Sequence, residues 1–167
     1  MIKELNLNSP YKVYKNLSDN IYFFDTESKI RYIAYFTDAD EYFNDNYLKN
    51  NIFSFGFEPQ NQSVTYKNLF DSKIKLTIVA ILKNFFLNQN NVLTFVTDIS
   101  DLRQKARSRL FEIWKNEFDL NDDFDKFDLE IISEDETYYS SMIVHKNNIN
   151  REKYKESFLK SVNDLSK

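Results

Sequence analysis

The chain has 167 residues, a net charge of −4, no cysteine and a single histidine, His145, with 16 Phe, 11 Tyr and one Trp to fill a core. That composition excludes thiol nucleophiles, disulfides, Fe–S clusters, thiolate zinc sites and multi-histidine metal centres. An acidic balance also gives no support to nucleic-acid binding, which rests on neutralising phosphates.

Residues 1–10 carry no periodic apolar pattern and are expected to be a flexible N-terminus of a single domain spanning 1–167. Four strands follow, "KVYKN", "IYFFDT", "IRYIAYFTD" and "IFSFGFEP", rich in aromatic and β-branched residues, the first three separated by the turn-formers "LSDN" and "TESK". Tyr32, Ala34 and Phe36 share one face of the third strand, and Phe53, Phe55 and Phe57 one face of the fourth. Gly56, the only glycine, marks either a bulge or a close backbone approach, with the bulge as the plainer expectation.

After the polar stretch "EPQNQSVTYKNLF" the period changes. Ile74, Ile78, Ile81, Leu82 and Phe85 line one helical face, Leu76, Val79 and Phe86 add apolar surface elsewhere, and Asp71 or Ser72 is the expected N-cap. "NVLTFVTD" reads as a strand central in its sheet. A second helix spans "DISDLRQKARSRLFEIWKNEF", and "FDLEIIS" with "TYYSSMIVHK" forms a hairpin across "EDE". A final helix, "REKYKESFLKSVNDLSK", puts Tyr154, Phe158, Val162 and Leu165 on one stripe. The expected architecture is α+β: a mixed, mainly antiparallel sheet with helices on both faces, in the order ββββ-α-β-α-ββ-α.

The second helix holds the distinctive cluster. Only five of the 22 basic side chains are arginines, and Arg103, Arg107 and Arg109 fall within seven residues. With Leu102 at zero and about 100° per residue, Ala106, Leu110, Ile113 and Trp114 fall between about 20° and 120°. Arg103 lands near 100° and Arg107 near 140°, inside the apolar arc and one turn apart. A planar, permanently charged fork suits partial burial or bidentate pairing. The arginines either tie the helix start to Asp98, Asp101 or an acidic loop, or they form an anion pocket with the N–H groups of the first turn, or they face an acidic partner.

Other signals weigh less. "DLNDDFDKFDLE" places Asp119, Asn121, Asp123, Asp125 and Glu130 like a calcium loop, but Phe124 stands where the sharp turn needs glycine. His145 has no Ser-containing elbow or Gly-lined loop for company, so it is read as structural or exposed. No segment approaches the roughly 20 apolar residues of a membrane span, "LTIVAIL" being the longest run, and the start lacks a signal-peptide core. A soluble cytoplasmic protein is expected, its oligomeric state open.

The runs "DSKIKLTIVAIL" and "FVTDISDLRQKARSRLFEIW" resemble an uncharacterised bacterial family of unknown function, a resemblance that implies no activity. More remotely, four strands, helix, strand, helix and two strands is similar to the core of GNAT-type acyltransferases. There the loop after the fourth strand and the next helix N-terminus cradle the acyl-CoA pyrophosphate. The matching stretch here is "NLFDSKIK", with no glycine and with Asp71 where an anion would approach. Two functions therefore stand as expectations. The first is a non-catalytic binding domain for a protein or an anionic small molecule, with no cofactor, using Arg103 and Arg107 with Asp98 and Asp101. The second, implied by the GNAT-like order, is an acyltransferase that holds acetyl-CoA phosphates through Ser72, Lys73 and Lys75.

Overall fold

The computed structural model of the chain describes residues 1–40, 48–60, 71–97, 116, 122–132 and 137–165. Among them are eight strands, β1 (Ile2–Leu5), β2 (Val13–Asn16), β3 (Ile21–Asp25), β4 (Arg31–Asp38), β5 (Ile52–Pro59), β6 (Val92–Thr97), β7 (Phe124–Ile132) and β8 (Thr137–His145). Two helices accompany them, α1 (Ser72–Phe85) and α2 (Arg151–Leu165). The strand order is β1-β2-β3-β4-β5-β6-β8-β7, so β6 is interior, as its nearly all-apolar run implies. The fold is a mixed α+β sheet, mostly antiparallel; β5 and β6 are the parallel pair, joined through α1. Their register covers Ile52↔Val92, Phe53↔Leu93 and Ser54↔Thr94, whereas β5 runs on to Pro59. Strand β1 forms in the segment expected to be flexible, pairing Ile2–Leu5 with Asn16–Val13.

The chain divides into two compact units, with β4 and β5 contributing to both. In the first, Met1–Phe36 and Phe55–Leu87, alternation puts Val13, Tyr22, Phe24, Tyr32, Ala34, Phe36 and Phe55 in the core. Helix α1 buries Ile74, Ile78, Ile81, Leu82 and Phe85, the stripe its sequence period marks, and Phe85 stacks on Phe36 at 4.0 Å between centroids. Thr77, Val79 and Ala80 are buried too, so the helix is enclosed beyond that stripe.

Gly56 is not a bulge with left-handed backbone. Bonds from the Gln60 N–H to the Arg31 carbonyl (2.8 Å) and from the Ala39 N–H to the Ile52 carbonyl (3.0 Å) fix one antiparallel register for β4 and β5. That register sets Gly56 opposite Tyr35, whose phenol ring lies where a Cβ would stand. Close approach of a ring is what requires glycine here.

In the second unit, Thr37–Ser54 and Asn88–Lys167, one cluster joins Ala39, Leu48, Ile52, Val92, Met142, Val144, Tyr154 and Phe158, with Phe127 and Leu129 packed on it. Tyr154 and Phe158 are the first half of the stripe expected on the final helix. The Tyr154 hydroxyl donates to the Leu48 carbonyl at 3.2 Å, and Arg151 pairs with Asp125 at 3.4 Å. Asp125 lies within β7, opposite Val144, so the calcium-like spelling is partly strand. His145 accepts from the Asn147 N–H through Nδ1 at 3.0 Å and meets Phe124 edge-on, a turn-fixing arrangement.

Candidate functional site

Of the residues singled out by sequence, Ser72, Lys73 and Lys75 stand on the first turn of α1. Asp98, Asp101, Arg103 and Arg107 lie outside the described residues.

The start of α1 is built from three separate stretches of the first unit. Asp71 has extended backbone (φ −62°, ψ 121°) and caps the helix, its Oδ1 accepting from the Lys73 N–H at 2.8 Å. Its carbonyl takes the first helical bond, from the Lys75 N–H at 3.3 Å. Its other carboxylate oxygen, Oδ2, accepts from the Tyr11 hydroxyl at 3.0 Å. Tyr11 is tied a second time, because its backbone N–H donates to Thr77 Oγ1 at 3.3 Å. That hydroxyl donates onward to the Lys73 carbonyl at 2.7 Å, within the helix. The Lys73 ammonium pairs with Glu27 from the turn between β3 and β4.

These contacts set the electrostatics. Burial, then the hydrogen bond and charge of Asp71, hold the Tyr11 phenol above its ordinary value. The hydrogen bond and charge of Glu27 raise Lys73, which stays a cation committed to a carboxylate. Tyr11, Phe24 and Tyr32 form a stack of near-parallel rings, 5.8 and 5.6 Å between centroids. Tyr32 is fully buried and its hydroxyl has no hydrogen-bond partner among the described residues. Burial raises its phenol first, and the charges of Asp71 and Tyr11 add to that.

A helix N-terminus ordinarily invites an anion through free N–H groups and the positive dipole end. Here a fixed carboxylate already accepts from the Lys73 N–H, and the nearest ammonium is paired with Glu27. Ser72 is exposed and Lys75 half-buried on the same turn. The arrangement is chemically suited to fastening α1 to the sheet, with Glu27 paired to Lys73 and Asp71 held by the Lys73 N–H and the Tyr11 hydroxyl.

Sequence reasoning narrowed the cap to Asp71 or Ser72 because capping is local, and the structure selects Asp71. It missed Tyr11, Glu27, Thr77 and Tyr32. Tyr11 and Asp71 are 60 residues apart, and aromatic residues in a strand-rich segment read as core whether or not a hydroxyl has a task.

Among the described residues no group of three or more His, Cys, Asp or Glu is placed to hold a metal ion. Nor is any helix there long and apolar enough to cross a membrane. The model of a family of unknown function, DUF6169, matches residues 70–160, from the Asp71 cap through most of α2. No curated protein and no solved structure matches the chain.

Proposed function

We propose that this chain, which belongs to the DUF6169 family of unknown function, is a non-catalytic cytoplasmic binding domain for a protein or an anionic small molecule. The start of α1 carries the preference over the acyltransferase alternative. An incoming pyrophosphate would meet the Asp71 carboxylate, already bonded to the Lys73 N–H and the Tyr11 hydroxyl, and would have to draw Lys73 from Glu27. Like-charge approach to a carboxylate already engaged as an acceptor is unfavourable. In this reading the anion or acidic-partner site is Arg103 and Arg107, supported by Asp98 and Asp101, because the helical phase of the sequence sets both forks inside an apolar arc. The layout proposed with it is GNAT-like, with helices on both faces of the sheet; the parallel β5–α1–β6 crossover supports that layout and says little about activity.

Calorimetric titration with acetyl-CoA is the first test. No binding heat is expected. Tight binding that depends on the pantetheine arm overturns the reading in favour of an acyltransferase using Ser72, Lys73 and Lys75. The second test titrates inorganic phosphate into the wild type and Arg107→Ala. Binding by the wild type, lost in the variant at a near-normal melting temperature, is expected. If the wild type ignores phosphate and the variant is destabilised by about 3 kcal/mol, Arg107 is a structural tie to a carboxylate and the anion site falls.

A further inference from the structure

We draw no further inference here: the strongest candidate outside the α1 cluster, the carboxylate-rich edge strand β7 with its exposed Asp128, is an acidic cluster with no second observation among the described residues that points to a ligand.

Discussion

Two tyrosines in one ring stack have different fates. The Tyr11 hydroxyl is spent on Asp71 at 3.0 Å, whereas the fully buried Tyr32 hydroxyl has no partner among the described residues. A buried polar group left unsatisfied costs about 1–3 kcal/mol, so its removal returns part of that. Tyr32→Phe keeps the ring on Phe24 and is expected to raise the urea midpoint, by about 1 kcal/mol in stability. Tyr11→Phe in the same assay should lower it, because Asp71 then loses a donor. A lower midpoint for Tyr32→Phe means that its hydroxyl has a partner, and the premise fails. Alternation put Tyr32 on one face of its strand but said nothing of its hydroxyl, since a phenol and a phenyl ring occupy the same position in a strand, and Tyr11 precedes the first expected strand.

At the scale of elements, α1 and the β4–β5 pair show how local pattern and long-range contact divide the work. The α1 stripe and its Asp71 cap are legible because both are set within a few residues of chain. The role of Gly56 is not. Its place in the strand made a bulge the plainer expectation, and the matter is decided by the Tyr35 ring across the ladder. The far end of a phenol can swing, so Gly56→Ala should cost only about 1–2 kcal/mol while the ring is displaced. In a Tyr35→Ala background the same change should be close to neutral, giving a coupling of about 1 kcal/mol in a double-mutant cycle. Equal costs in both backgrounds would show that the backbone of Gly56, not the ring, demands glycine.

Across the whole molecule, buried phenols link stability to alkaline pH. Tyr11 and Tyr32 in the first unit and Tyr154 in the second are all raised, burial being the largest cause in each. The unfolded chain gives up these protons near pH 10, the folded chain only at higher pH. Their contribution is therefore complete below about pH 10 and is lost as pH rises toward the folded-state values. Melting temperature should be flat from pH 8 to about 9.5 and then fall, with a shallower fall in Tyr154→Phe. An identical slope in wild type and variant would remove Tyr154 from the account. Asp25 acts in the opposite direction: the hydrogen bond from Arg31 lowers its value, so its help is lost toward acid. Both side chains are about half exposed, which keeps the effect of that pair small.

The amino-acid order by itself determined what depends on near neighbours: seven of the eight strands, the apolar stripe and cap of α1, the Tyr154 and Phe158 positions of α2, and the chemistries that need cysteine or several histidines. Alternation, helical period and capping act over a few residues, and composition is independent of folding. Tertiary structure alone decided that residues 2–5 complete an edge, that Tyr35 explains Gly56, and that Asp71 and Lys73 are already engaged by Tyr11 and Glu27. Each of those depends on a partner distant in the chain or on the opposite strand. A short polar-rich strand has no stripe to reveal it, and a carboxylate reads the same in sequence whether it is free for a ligand or held by a hydroxyl 60 residues away.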